Sequence, residues 1–129
     1  MPYSWWQTKE QKMKVLLVED SKDFRKKLKN LLEEDYDIRE ATDGLEGLQL
    51  IRDETFDLVI TDLNMPNLDG LSMLQKIREE GLEAPPIMMV TTEFDPELKR
   101  KGKEVGVSFW IVKPISEPKF LKVVETLLS

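Results

Sequence analysis

From Met13 onward, short apolar runs alternate with segments whose apolar residues recur at helical spacing. The runs are KVLLV (14–18), the weaker YDIREA (36–41), FDLVI (56–60), PIMMV (86–90) and SFWIV (108–112). Near-continuous hydrophobicity marks strands buried on both faces, so these runs predict five parallel strands with helices above and below. Between them, Phe24, Leu28, Leu31 and Leu32 recur at i, i+4, i+7 and i+8, and Phe120, Val124, Leu127 and Leu128 repeat that spacing. Leu45, Leu48 and Ile51 predict a helix after Asp43-Gly44, and Leu71, Leu74 and Ile77 one that begins near Asp69 and stops at Gly81. The helix opened by Asp95-Pro96 has the weakest pattern, because Leu98 and Val105 are almost its only apolar residues and Gly102 interrupts it. The sum is an α/β domain of (βα)₅ form over residues 13–129. Residues 1–12 form an N-terminal extension that carries Trp5 and Trp6.

Composition narrows the chemistry. The 129 residues, 40% hydrophobic, suit one compact domain and leave no room for a second output domain. With 19 Lys+Arg against 25 Asp+Glu the net charge is −6, which argues against nucleic acid as a partner. The chain has no Cys and no His, which excludes thiol nucleophiles, Cys/His zinc sites and Ser-His catalysis. Any chemistry falls to carboxylates, Lys, hydroxyls and oxygen-bound metals. No run approaches a membrane-spanning length and the N-terminus lacks a secretory pattern, so the expectation is a cytoplasmic protein without a membrane partner.

The strand exits carry that chemistry. In open parallel sheets, ligands collect outside the carboxyl ends of the strands. Here strand one exits into Glu19-Asp20, strand three into Asp62, strand four into Thr91-Thr92 and strand five into Lys113-Pro114. If strands one and three are neighbours, three carboxylates, a hydroxyl and an ammonium face one crevice. Clustered carboxylates repel unless a proton or a divalent cation joins them. An all-oxygen set with few carboxylates and space for water favours Mg²⁺ over Ca²⁺. With Lys113 and Thr91 beside it, the crevice matches a phosphoryl group, and Asp62 becomes the nucleophile of an aspartyl phosphate.

Taken in order, VED (18–20), D-x-N-M-P-x-x-D-G (62–70), VT (90–91) and VKP (112–114), each at a strand exit, resemble the receiver domains of two-component response regulators. The likeness is strongest to the single-domain chemotaxis regulators of that family and covers about nine-tenths of the chain. The resemblance implies a flavodoxin-like three-layer sandwich with strand order 2-1-3-4-5. It makes Asp62 the phosphoacceptor, Asp20 and Asp62 ligands of Mg²⁺ with the Asn64 main-chain carbonyl, and Glu19 a contributor through water. Thr91 and Lys113 would contact the phosphoryl oxygens, Thr91 and Trp110 would be the switch pair, and Lys113-Pro114 would be cis. It also implies a downstream target on the face formed by helix four, strand five and helix five, by analogy a flagellar motor switch protein.

Because the chain has no His, the resemblance requires a histidine kinase or a phosphotransfer protein as donor. Two residues depart from the family pattern. Thr92 replaces a smaller residue and would crowd the phosphoryl site, and Trp110 is bulkier than the usual Tyr or Phe and would hinder a rotating switch.

Blander roles compete at several positions. Asp69 reads as a helix cap, and Ser21 can cap the first helix in place of Asp20. Period-two alternation puts Trp110 with Val112 on one face and Phe109 with Ile111 on the other, so core packing competes with switching at Trp110. The run Lys99, Arg100, Lys101, Lys103 is either a solvated helix face or a patch for an acidic partner. Three functions stay open: a phosphorylation switch, a relay intermediate that passes the phosphoryl group to a phosphotransfer histidine, and a binding module independent of phosphorylation. A Mg²⁺-dependent phosphatase is disfavoured, since the position for its second Asp is Asn64.

Overall fold

A computed structural model describes residues 11–129; the Trp5-Trp6 pair lies outside the described residues. Strands β1 (Lys14–Val18), β2 (Asp37–Ala41), β3 (Leu58–Thr61), β4 (Ile87–Thr91) and β5 (Phe109–Val112) alternate with helices α1 (Lys22–Leu32), α2 (Gly44–Asp53), α3 (Gly70–Glu79), α4 (Pro96–Glu104) and α5 (Glu117–Leu128). All pairings are parallel and the strand order is β2-β1-β3-β4-β5. The expected flavodoxin-like sandwich and strand order are therefore present.

The period-two geometry of the strands divides the core. Leu16, Val18, Val59 and Met89 pack on one side with Leu48, Met73, Leu74 and Ile77 of α2 and α3. Val15, Leu17, Leu58, Ile60, Met88 and Val90 pack on the other with Leu28, Leu32, Phe120 and Val124 of α1 and α5. Each of these residues is buried, and alternation along a strand sends consecutive side chains into different layers. Helix starts follow side-chain chemistry: Ser21, Asp43, Asp69, Asp95 and Ser116 each accept a hydrogen bond from an N–H of the first turn. Asp69 and Ser21 thus cap as their sequence context suggests.

Two expectations, those for Gly102 and Leu45, need correction. Gly102 does not interrupt α4, which runs through it. A Cβ at Gly102 would lie 2.9 Å from Trp110 Cζ3, so the missing side chain makes room for the indole. In β5 the expected alternation holds, with Trp110 packed on the α2/α3 side and Ile111 on the α1/α5 side, while Phe109 and Val112 are each 38% exposed. β5 is an edge strand, and its end residues have helix cover on one side at most. Leu45, read as part of the apolar face of α2, is exposed at 51%.

Candidate functional site

Sheet register assembles the site. Val18 pairs with Thr61 and Thr91 with Val112, so the residues that follow them leave the sheet side by side. The ladders continue one step further: Glu19 N–H donates to Ala41 O at 3.0 Å, Asp62 N–H to Val18 O at 3.0 Å and Lys113 N–H to Thr91 O at 2.8 Å. Main-chain hydrogen bonds thereby fix the stems of all three side chains independently of their side-chain contacts.

Glu19, Asp20 and Asp62 each place a carboxylate oxygen within 4.8 Å of the others. Lys113 Nζ lies between two of them, donating to Glu19 Oε1 at 2.9 Å and to Asp62 Oδ2 at 3.0 Å. The remaining oxygens are also engaged, since Ser21 N–H donates to Glu19 Oε2 at 3.0 Å and Leu63 N–H to Asp62 Oδ1 at 2.6 Å. Glu19 and Asp62 are buried, whereas Asp20 is exposed, so the cluster opens to solvent through Asp20.

Burial pushes the Glu19 carboxyl above its usual range, against the hydrogen bonds from Ser21 and Lys113, and the charge of Asp62 adds to the rise. Burial acts on Lys113 in the opposite sense. Its hydrogen bonds to Glu19 and Asp62, together with their charges, outweigh that and hold the ammonium above the ordinary lysine value. Lys113 therefore stays charged and offsets part of the repulsion that three carboxylates would otherwise suffer. Fully ionised, the four groups carry a net −2, and the donor set is all oxygen. That combination fits a hard divalent cation.

The β3–α3 loop is clamped beside the cluster. Gly70 is required there, because a Cβ on it would meet Asp62 O at 2.3 Å, and its N–H donates to Leu63 O at 2.7 Å. Asn67 takes a positive φ of 67°, which Asn tolerates, and its side chain donates to Asp43 Oδ2 at 2.6 Å. Asn64 is exposed, and its Nδ2 donates to Glu93 Oε1 at 3.0 Å. Lys113-Pro114 is cis.

Thr91 is fully buried, and its Oγ1 accepts from Glu93 N–H at 3.3 Å. Trp110 stands apart from the acids, but its indole N–H donates to Glu93 O at 2.9 Å. Glu93 thus touches Thr91, Asn64 and Trp110 at once. The stretch VTTE (90–93) contributes to the family resemblance, but the sequence assigns Glu93 no role, since a Glu two residues past a strand shows none without its contacts. Phe24 was read only as part of the α1 core stripe, yet its ring lies 4.2 Å below Lys113 Nζ. Thr92 is exposed.

Comparison with known proteins agrees with this geometry. The family model described as "Response regulator receiver domain" matches residues 15–125. Among curated relatives, chemotaxis protein CheY-3 of Vibrio cholerae is 38% identical over 107 residues, 81% of this chain and 82% of that protein. The sensor protein EvgS of Escherichia coli is 36% identical over 122 residues, 92% of this chain but 10% of EvgS. Among solved structures, the chemotaxis response regulator CheY4 of Vibrio cholerae superposes with a TM-score of 0.83 at 36% identity, covering 92% of this chain and 100% of that one. A family match over most of the length and close relatives of the same size, on a sheet whose exits gather three carboxylates and a lysine, place this chain in the response regulator receiver family of two-component signalling, among its CheY-like members.

Proposed function

We propose that residues 13–129 act as a cytoplasmic phosphorylation switch whose acceptor is Asp62. The observation that carries this reading is the Lys113 ammonium bridging Glu19 and Asp62, with Asp20 completing the acidic cluster. An Asp62 oxygen attacks the phosphorus of a phosphohistidine. The P–O bond forms as the P–N bond breaks, and the imidazole leaves with a proton. That histidine belongs to another protein, a histidine kinase or phosphotransfer protein, because this chain has none.

Asp20, Asp62 and the Asn64 carbonyl would hold Mg²⁺, with Glu19 acting through water, as the family resemblance implies. When bound, the cation supplies positive charge against the phosphoryl oxygens. Lys113 then shifts from Asp62 Oδ2 towards the phosphoryl oxygens, and the Thr91 hydroxyl turns to donate to them.

Turning Thr91 releases Glu93 N–H, and Glu93 in turn holds Trp110 through its carbonyl and Asn64 through its carboxylate. Switching therefore reaches β5. Two grooves of about 510 and 310 Å³ flank Phe109 there, bordered by Phe94, Lys99, Arg100 and Lys103 on the α4 side and by Lys119 and Lys122 on α5. An apolar floor with a cationic rim on a chain of net charge −6 suits an acidic partner segment. The chemotaxis relatives make a flagellar motor protein the first candidate for it.

The likeness to EvgS, a sensor protein far longer than the matched segment, favours a second reading in which the phosphoryl group passes on to a phosphotransfer histidine. The test is intact mass after incubation with Mg²⁺ and acetyl phosphate. One added phosphoryl group that disappears in Asp62→Asn supports the proposal, and no gain, or a gain that survives Asp62→Asn, refutes it. Rapid loss of the group to phosphotransfer domains, without binding to motor-protein peptides, selects the relay.

A further inference from the structure

Lys113 has a third neighbour besides its two carboxylates. Its Nζ sits over the Phe24 ring, 4.2 Å from the centroid, while two of its N–H bonds point to Glu19 and Asp62. An ammonium so placed is attracted to the negative face of the ring, more strongly where water is excluded. The Lys113 side chain is only 17% exposed.

The ring's position is tied to the same carboxylate that Lys113 uses. Ser21 N–H donates to Glu19 Oε2 at 3.0 Å, and Ser21 Oγ accepts the Phe24 N–H at 3.3 Å. Glu19 Oε1 then takes Lys113, whose ammonium returns to the Phe24 ring. Four residues form a closed circuit of contacts around the ammonium. Phe24 is also the member of the α1 apolar stripe nearest the strand exits, half-buried against the α1/α5 layer of the core.

We infer that Phe24 is a positioning residue for phosphoryl transfer, holding the Lys113 ammonium in place while its contact with Asp62 is exchanged for the incoming phosphoryl oxygens. The inference rests on the proposal that Asp62 is the acceptor. During that exchange Lys113 gives up one anchor. Glu19 alone leaves it free to swing about a single hydrogen bond, and the aromatic face restricts the swing without competing for a phosphoryl oxygen. An aliphatic side chain of similar size would preserve the core stripe but supply no such attraction.

The test compares Phe24→Leu, which retains apolar volume, with Phe24→Tyr, which retains the ring; Phe24→Met replaces the Leu variant if that one fails to fold. Two readouts are taken on the full chain. In the metal-free protein, NMR of the Lys113 side chain should show Hδ and Hε protons shifted upfield by the ring current in the parent and in Phe24→Tyr, with the shift lost in Phe24→Leu. With Mg²⁺ and acetyl phosphate, the rate of phosphorylation should fall by about 3- to 10-fold in Phe24→Leu, the scale of a partly desolvated cation–π contact. It should stay within about 2-fold of the parent in Phe24→Tyr.

Equal rates in parent and Phe24→Leu, or a similar loss in Phe24→Tyr and Phe24→Leu, would overturn the inference. If the parent itself gains no phosphoryl group, the Asp62 proposal fails and the positioning role falls with it. The Lys113 shift then still decides whether the ring holds the ammonium, which separates a failed contact from a failed reaction.

Discussion

Gly102→Ala sets two effects of opposite sign against each other. In an ordinary helix interior this change stabilises by about 1 kcal/mol, because Gly is the poorer helix former. In α4 the added Cβ would stand 2.9 Å from Trp110 Cζ3, 3.3 Å from Trp110 Cε3 and 3.3 Å from Val107 Cγ2. The indole cannot simply slide away, since its N–H is bonded to Glu93 O. Overpacking of this kind costs about 1–3 kcal/mol, and losing the indole hydrogen bond costs about 1 kcal/mol more. The clash should win, leaving Gly102→Ala less stable than the parent by about 1–3 kcal/mol in urea unfolding. In a Trp110→Ala background the closest obstacle is gone and only Val107 has to give by a few tenths of an ångström, so the same substitution should stabilise by up to about 1 kcal/mol. The coupling between the two sites is therefore about 2–4 kcal/mol, well above what unconnected sites show. A stability gain in both backgrounds, with an unchanged Trp110 indole N–H resonance in the parent background, would refute the reasoning.

Other outcomes follow from the same contacts. Lys113→Met leaves the buried Glu19 and Asp62 without their cation, and metal-free unfolding should show a loss of about 2–4 kcal/mol that added Mg²⁺ partly restores. In the parent, Mg²⁺ at about 100 times its dissociation constant should add about 2.7 kcal/mol to stability, seen as a higher Tm, and no response would dismiss the acidic cluster as a cation site. Asp43 caps α2, and the Glu46 N–H bond, with help from Asn67, holds its carboxyl below the usual 3.8. Asp43→Ala should cost about 1 kcal/mol at pH 7. Because the folded-state pKa is depressed, that contribution is complete above the unfolded value and fades as pH falls through the folded one, so the gap between parent and variant in urea unfolding should begin to narrow below about pH 3.8 and close at lower pH.

Along this chain, the local patterns that depend on near neighbours could be read in one dimension. Runs such as KVLLV and FDLVI marked buried strands, and Ser21, Asp43 and Asp69 marked helix starts. The chemistry was legible too, because the exits of parallel strands lie at one edge whatever the details, so Glu19, Asp20, Asp62, Thr91 and Lys113 could be grouped before their distances were known. Strand order was not in the pattern itself; it came from resemblance to a family. Tertiary structure decided how the grouped residues meet. Only the in-register pairing of β1 with β3 and β4 with β5 places Lys113 between Glu19 and Asp62, relieving a repulsion that the acids alone implied. Gly102 looked like a break in α4 because helix propensity weighs a glycine without its surroundings, and the Trp110 ring that needs the space arrives from another element. Glu93, inside the VTTE stretch, and Phe24, in the α1 stripe, had no legible role for the same reason, since their significance lies in contacts with Trp110, Asn64 and Lys113, residues distant in sequence that only packing brings close.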